Sequence, residues 1–240
     1  MKHQYFGDVN DYRKYGLLRS IQRETGFRLG VCWMLTSNDT RTDGKFISYL
    51  LEPARWRRYD PALFDALSQA VVAERHLRHV EELSLLPGAV LFDRIVPQGR
   101  DLRSQYFQAF FDSTRGCDLV FFDPDNGILV PSCGIGSKEA PKYIAWDELA
   151  TTYRTGRSVL LYQHFPRKPR DLFVRELSDQ LLAQTGCTQV TCFRTANVGF
   201  FLACQPHHAD LLSAAADQIG RNWKGQIEVS TLGGRSDQRV

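Results

Sequence analysis

The feature that most constrains the fold is a pair of apolar segments, residues 188–194 and 198–204, which are joined by only three residues. A link this short can connect only antiparallel strands. Upstream of this hairpin, apolar segments of strand length alternate with segments of helical periodicity, which is typical of a parallel sheet covered by helices. We therefore predict an α/β fold: a doubly wound, mostly parallel sheet with a C-terminal antiparallel hairpin, formed by residues 1–240 as a single domain.

The alternation defines the predicted elements. Strands are expected at 27–35, 89–96, 118–122 and 158–162, before the hairpin, and a short strand is expected at the end of the chain. Helices are expected at 8–24, from Pro61 to about 83, and at 101–112, 146–154, 169–186 and 208–219. Asp60 and Pro61 have the residue types of a helix start. Residues 53–86 are a candidate helical insertion in the domain.

Composition restricts the location and the class of protein. The longest apolar runs are of strand length, well below the roughly 20 residues that cross a bilayer, so we expect no membrane partner. The six cysteines include no C-x-x-C pair, which favours free thiols over a disulfide framework or a zinc site. Because no apolar signal segment follows Met1, we expect a cytoplasmic protein. Its oligomeric state is left open.

Two clusters of basic residues are candidate contacts for nucleic acid. The formal net charge of +3 is small, but arginine outnumbers lysine, and its planar guanidinium suits phosphate. The first cluster surrounds Trp56 and the second follows Phe165; they comprise Arg55, Arg57 and Arg58, and Arg167, Lys168 and Arg170. RNA or DNA is therefore a candidate partner.

Polar residues follow several of the predicted strands. In open α/β sheets, ligands bind beyond the carboxyl ends of the strands. The most distinctive cluster is Asp123-Pro124-Asp125-Asn126, because two carboxylates this close are costly to hold together without a cation, proton or donor between them. Further candidates are Asn38, Asp39 and Asp43 after the first strand, Gln163 and His164 after the fourth, and Asp8, Asp11, Arg13 and Lys14 on the first helix. We expect several of these groups to meet in one crevice.

Two short motifs resemble those of a known family. Residues 7–15 (GDVNDYRKY) resemble the N-terminal signature G-x-x-x-D-x-x-K-H of the RlmJ-like ribosomal RNA adenine-N6 methyltransferases, with Gly7, Asp11 and Lys14 in register and Tyr15 in place of the histidine. The strand that ends in Asp123-Pro124 is similar to the strand and D-P-P-Y motif of that family, although Asp125 and Asn126 replace the second proline and the aromatic residue. The order of later elements also agrees.

The resemblance implies a class I methyltransferase-like Rossmann fold and S-adenosylmethionine as cofactor. In that family the Asp and Pro orient the amino group that is methylated, and the N-terminal lysine lines the cofactor pocket. The resemblance thus implies a divergent methyltransferase-like enzyme that acts on a nucleic-acid base or a related amine. The family roles carry over to Asp123 and Pro124, which would orient the amine, and to Lys14, which would contact the cofactor. With the neighbouring candidates at the strand ends, the predicted catalytic residues are Asp123, Pro124, Asp125, Asn126 and His164, and the predicted cofactor contacts are Lys14, Asp11, Asn38, Asp39, Asp43 and Gly44.

Two alternatives use the same residues differently. The carboxylates of Asp39, Asp43, Asp123 and Asp125 are suitable ligands for Mg²⁺ or Mn²⁺, which would make the chain a metal-dependent nuclease or phosphohydrolase. The extra acid at position 125 favours this interpretation. A non-catalytic module that binds nucleic acid or protein on the same scaffold is the other alternative.

Overall fold

The computed structural model describes residues 1–38, 44 and 46–233. Within them, seven strands form one mixed sheet in the order β2-β1-β3-β6-β8-β7-β9, and β4 and β5 form a small parallel pair beside it. The strands are β1 (Leu29–Cys32), β2 (Val90–Phe92), β3 (Leu119–Phe122), β4 (Gly127–Ile128), β5 (Tyr143–Ile144), β6 (Ser158–His164), β7 (Gln189–Arg194), β8 (Val198–Ala203) and β9 (Glu228–Gly233). Strands β2, β1, β3 and β6 pair in parallel, whereas β8 and β9 run against their neighbours.

Helices cover both faces of this sheet. They are α1 (Val9–Thr25), α2 (Pro53–Trp56), α3 (Pro61–Ala73), α4 (His79–Glu82), α5 (Arg100–Ser113), α6 (Trp146–Arg154), α7 (Arg170–Thr185) and α8 (Ala209–Asn222). Successive residues of the central strands face opposite sides, so that Phe121 packs in the core under α1, α3 and α8, and Phe122 in the core under α5, α6 and α7. The predicted α/β class and mostly parallel sheet are therefore confirmed.

The first helix begins and ends where its sequence dictates. Asp8 is its N-cap and accepts hydrogen bonds from the backbone N–H groups of Asn10 and Asp11. Gly26 follows its last residue with φ of 71°, a left-handed conformation that favours glycine. Helix α1 therefore starts at the carboxyl edge of the sheet, which places its first turn beside the ends of β1, β3 and β6.

Three predicted elements differ from the structure. The helix expected from Pro61 to about 83 is interrupted after Ala73, because Glu74 is extended and the Arg75 side chain turns back to donate a hydrogen bond to the carbonyl of Phe6 at 2.8 Å. The strand expected at 89–96 ends at Phe92, and only an isolated bridge joins Ile95 to the segment after β1. The pair β4–β5 lies in a segment predicted as loop.

The predicted hairpin is confirmed, with β7 and β8 antiparallel and β8 inserted between β6 and β7. In the part of the chain that the structure describes, no helix is both long enough and apolar enough to span a membrane.

Candidate active site at the carboxyl edge of the sheet

A cavity of about 510 Å³ lies beyond the carboxyl ends of β3 and β6, against the first turns of α1. Its walls come from several parts of the chain. The amino-terminal part contributes Met1, Lys2 and Tyr5, the start of α1 contributes Asp8, Asn10, Asp11 and Lys14, and the segment before α2 contributes Gly44 and Phe46. The turn after β3 contributes Asp123, Pro124, Asp125 and Asn126, and the segment just before β5 contributes Glu139 and Lys142. The end of β6 and the β7–β8 turn contribute Tyr162, His164 and Asn197. Most of the residues predicted from the sequence therefore meet in one crevice.

Lys14 is the central charged group of this cavity. Its Nζ lies 2.8 Å from Oδ1 of Asp11, one helical turn earlier, and 2.7 Å from Oδ2 of Asp123, directly after β3. All three side chains are at least 97% shielded from solvent. This buried bridge ties the first turns of helix α1 to the end of the central strand.

Aromatic rings surround the Lys14 ammonium. Its Nζ lies 5.8 Å from the ring centroid of Tyr15, 5.9 Å from that of Trp33 and 5.3 Å from that of Tyr162, distances that allow cation–π attraction. Burial alone would lower the pKa of Lys14, but the carboxylates of Asp11 and Asp123 raise it above its ordinary value. Lys14 is therefore a permanent cation rather than a nucleophile or a base.

Asp125 has a separate set of partners. The α-ammonium of Met1 lies 2.8 Å from its Oδ1, and the hydroxyl of Thr36 donates a hydrogen bond to its Oδ2 at 2.6 Å. Although burial would raise the pKa of Asp125, the Met1 ammonium and the Thr36 hydroxyl lower it below its usual value. The same ammonium donates hydrogen bonds to the carbonyls of Met34 at 3.2 Å and Asp123 at 3.1 Å.

Asp8, the N-cap of α1, also lines the cavity. Burial, together with the neighbouring charge of Asp11, raises the pKa of Asp8 to about 7. A carboxylic acid that titrates near neutrality inside a cleft is a candidate for proton transfer.

Hydrogen bonds to its backbone groups hold the turn after β3 in place. The amide of Asn126 donates a hydrogen bond to the carbonyl of Lys142 at 2.9 Å, and the Gln163 side chain bonds the amide of Ile128 at 2.8 Å and the carbonyl of Asn126 at 3.2 Å. Gly127, with φ of 105°, must be glycine, because a Cβ there would lie 2.1 Å from Oε1 of Gln163. His164 is exposed at the rim, with its Nε2 3.2 Å from the Tyr162 hydroxyl.

The remaining predicted residues have different outcomes. Asn38 is exposed, accepts a hydrogen bond from the amide of Gln4 at 3.3 Å and does not line the cavity. Gly44 does line it. Asp39 and Asp43 lie outside the described residues, so their role as cofactor or metal contacts stays a prediction.

The two basic clusters differ in how far their charges are balanced. In the first, Arg55 pairs with Glu52, Arg57 pairs with Asp65 through two 2.8 Å contacts, and Arg58 bonds the hydroxyl of Tyr59. In the second, Lys168 pairs with Glu176 and Arg170 packs over the Phe165 ring, but Arg167 forms no ion pair with any described residue. The second cluster therefore has more charge available for a partner.

Sequence reasoning missed several residues of the cavity. Tyr162 was predicted only as the last residue of a strand and was not named as a candidate, and nothing in the sequence indicated that Met1 and Lys2 fold back over the site. Asp8 was named as a candidate on the first helix, but no catalytic or cofactor role was predicted for it.

Among the residues that the structure describes, no three His, Cys, Asp or Glu side chains are grouped so that they could hold a metal ion.

Comparison with known proteins does not identify a family for this chain, because no family model and no curated protein matches its sequence. One similar solved structure is the crystal structure of protein LPL1258 from Legionella pneumophila str. Philadelphia 1, described with the family model DUF519. It shares 10% sequence identity, covers 96% of this chain and 98% of its own, and has a TM-score of 0.36, at which the likeness does not define a shared fold.

Proposed function

We propose that this protein is a divergent S-adenosylmethionine-dependent methyltransferase that acts on an amino group, such as that of a nucleic-acid base. The observation that carries the proposal is the cavity that brings Asp123-Pro124 together with Lys14 beyond the carboxyl ends of the parallel strands. This is the position at which open α/β sheets bind their ligands. The antiparallel β8 beside β6 is also the hairpin arrangement expected of a class I methyltransferase-like Rossmann fold.

The size of the cavity suits the cofactor. A volume of about 510 Å³ falls within the roughly 300–1,000 Å³ typical of small-molecule sites. Its described walls carry five carboxylates against three lysines and the Met1 ammonium. This excess of negative charge favours a ligand with a positive charge, such as a sulfonium.

The chemistry of the donor set also fits. The carbonyls of Met34 and Asp123 and the carboxylate of Asp125 hold the α-ammonium of Met1, which is the amino group of a methionine. S-adenosylmethionine carries the same α-ammonium at its amino-acid end, so these oxygens match that ammonium, and a cofactor seated in the same way would replace Met1. When bound, the cofactor would supply an electrophilic methyl group.

The residues of the cavity would then orient the acceptor. Oδ2 of Asp123 accepts a hydrogen bond from Lys14, and because Asp123 lines the cavity, its Oδ1 would accept a hydrogen bond from the amine. Pro124, Asn126 and His164 line the same wall. Lys14 acts indirectly, because its ammonium fixes Asp123 in place and opposes the increase in the pKa of Asp123 that burial causes.

Isothermal titration calorimetry with S-adenosylmethionine and S-adenosylhomocysteine tests the proposal. We expect both to bind the wild-type protein, and we expect Asn126→Trp, which fills the cavity, to weaken binding at least about tenfold, or about 1.4 kcal/mol. Asn222→Trp, at an exposed end of α8, is the matched control and should bind like the wild type. If neither compound binds at millimolar concentration, the proposal is refuted.

The metal-dependent alternative has less support. Asp123 and Asp125 each already hold an ammonium group, at 2.7 Å and 2.8 Å, and a divalent ion would have to displace both. Thermal unfolding with Mg²⁺ or Mn²⁺ separates the two hypotheses, because a metal enzyme should be stabilised by its ion.

A further inference from the structure

Asp8 differs from the other acidic side chains of the cavity because it has no cationic partner within ion-pair distance among the described residues. The other carboxylates are paired: Asp11 and Asp123 with Lys14, Asp125 with Met1, and Glu139 with Lys142. Their negative charges are therefore committed to holding the walls of the cavity. Asp8 is therefore the carboxylate of the described cavity wall whose charge no neighbouring cation balances at ion-pair distance.

The geometry of Asp8 leaves one oxygen available. Both hydrogen bonds that cap α1, from the amides of Asn10 at 2.8 Å and Asp11 at 3.0 Å, go to Oδ1. No described residue donates a hydrogen bond to Oδ2, although only 6% of Asp8 is exposed and the residue lines the cavity. The helix thus orients the carboxyl group without using its second oxygen.

Building on the proposed function, we propose that Asp8 is a catalytic residue that accepts the proton lost by the acceptor amine. A methylated amine carries a positive charge until it loses a proton. In this step the N–H bond breaks, its electron pair stays on nitrogen, and the proton forms a bond to Oδ2 of Asp8. The proton then leaves for water through the open side of the cavity.

The electrostatic surroundings suit this role. A pKa of about 7 leaves both forms of Asp8 populated at neutral pH, which is the condition under which a carboxylate can accept a proton and release it again. The titratable and charged groups facing Asp8 are Asp11, Arg13, Lys14 and Tyr15 from α1, Tyr49 from the segment before α2, Arg75 from the segment after α3, and Tyr162 from β6. Burial and the carboxylate of Asp11 raise the pKa of Asp8, and the charge of Lys14 and the hydrogen bonds from the amides of Asn10 and Asp11 restrain the increase.

The inference can be tested without the acceptor amine by measuring how many protons the protein releases when it binds S-adenosylmethionine. S-adenosylmethionine carries a sulfonium, and a cation that arrives beside Asp8 favours the ionised form. Calorimetry at pH 7 in buffers of different ionisation enthalpy should therefore show release of up to about half a proton for each molecule bound by the wild type. Asp8→Asn should remove this release, since asparagine retains the N-cap but does not titrate. Asp60→Asn, at the N-cap of α3, is the matched control and should behave as the wild type.

The outcomes separate the inference from the proposed function. Equal proton release by wild type and Asp8→Asn, or no release by the wild type, overturns the role of Asp8 and leaves the methyltransferase proposal standing. Loss of binding by a folded Asp8→Asn variant also overturns it, because Asp8 would then hold the ligand rather than its proton. Failure of the wild type to bind refutes the methyltransferase proposal and the role of Asp8 with it.

Discussion

At the scale of single residues, Lys14 bridges two buried carboxylates, those of Asp11 and Asp123. Removing one member of a buried ion pair leaves an uncompensated charge, which typically costs about 3–5 kcal/mol. We therefore expect Lys14→Met to lower the free energy of unfolding by about that amount, measured by urea denaturation. Lys14→Met combined with Asp123→Asn should recover part of the loss, because one of the two uncompensated carboxylates is then neutral.

A surface lysine provides the comparison for Lys14. Lys168 pairs with Glu176 where both side chains are at least one-third exposed, and such pairs contribute at most about 1 kcal/mol. Lys168→Met should therefore change stability by less than that amount. If Lys14→Met were equally mild, the buried bridge would have no structural role.

Asp8 gives a pH dependence whose sign follows from its pKa. The pKa rises from 3.8, its ordinary value, to about 7 in the folded protein, so folding favours the protonated form. Its contribution to stability is therefore complete below pH 3.8 and is lost as the pH rises through about 7. We expect Asp8→Asn to become more stable relative to the wild type over this window, by up to about 1.4 kcal/mol per pH unit. Urea denaturation at pH 5, 7 and 8.5 measures the difference, and a constant difference would contradict the assigned pKa.

At the scale of elements, helix α1 approaches the segment after α8 so closely that one position excludes a side chain. A Cβ at Gly16 would lie 2.0 Å from Cζ2 of Trp223, whose ring is fully buried. Gly16→Ala should therefore destabilise the protein by about 1–3 kcal/mol, although alanine is the better helix former. Thermal or urea unfolding would show this loss.

Gly220 in α8 is the matched control for Gly16. A Cβ there would lie 3.5 Å from Cγ2 of Val229, an ordinary contact. Gly220→Ala should be neutral or stabilising by up to about 1 kcal/mol, since helix propensity then acts without a clash. Equal effects at both positions would mean that the helices can separate without cost.

The elements that could be predicted are those whose signals are local. Helix α6 was predicted with its observed bounds, and each end of α1 was predicted to within one residue. Both predictions depend on apolar periodicity and helix-end signals, which involve only residues close together in sequence. The break after Ala73 could not be predicted, because it depends on a hydrogen bond from Arg75 to Phe6, 69 positions away. The pair β4–β5 was missed because strands of two residues are too short to show alternation.

The candidate site was predictable to the extent that its residues stand at strand and helix ends. Asp123 was identified from its position at the end of a strand, and Lys14 from the resemblance of residues 7–15 to a family signature; the two side chains lie 2.7 Å apart across 109 residues of sequence. The partners of Asp125 could not be identified, because nothing in the first residues indicates that they cover the turn after β3. The free oxygen of Asp8 is likewise a property of the folded geometry alone.

At the scale of the whole molecule, the small net charge conceals an uneven distribution of charge on the surface. Arg57 is neutralised by Asp65, whereas Arg167 and Arg170 stand exposed without a carboxylate partner in the described residues, just beyond the rim at His164. If a nucleic acid is the substrate, its phosphates should meet the second cluster.

We expect the double substitution Arg167→Ala and Arg170→Ala to weaken binding of single-stranded RNA. It should also reduce the dependence of log affinity on log salt concentration by about 0.7 for each lost phosphate contact. Arg57→Ala serves as the control and should leave both quantities unchanged. Fluorescence anisotropy between 50 and 300 mM salt measures them, and unchanged binding by the double variant would exclude this cluster as a nucleic-acid surface.

The bridge through Lys14 also limits where the polypeptide can be shortened. Helix α1 precedes every strand of the sheet in sequence, yet its Lys14 supplies the positive charge that offsets the buried carboxylate of Asp123 at the end of β3. A version that starts after Gly26 would retain that aspartate in an apolar setting with nothing to offset it. Engineered boundaries, proteolytic fragments and split versions of this protein should therefore keep helix and sheet together.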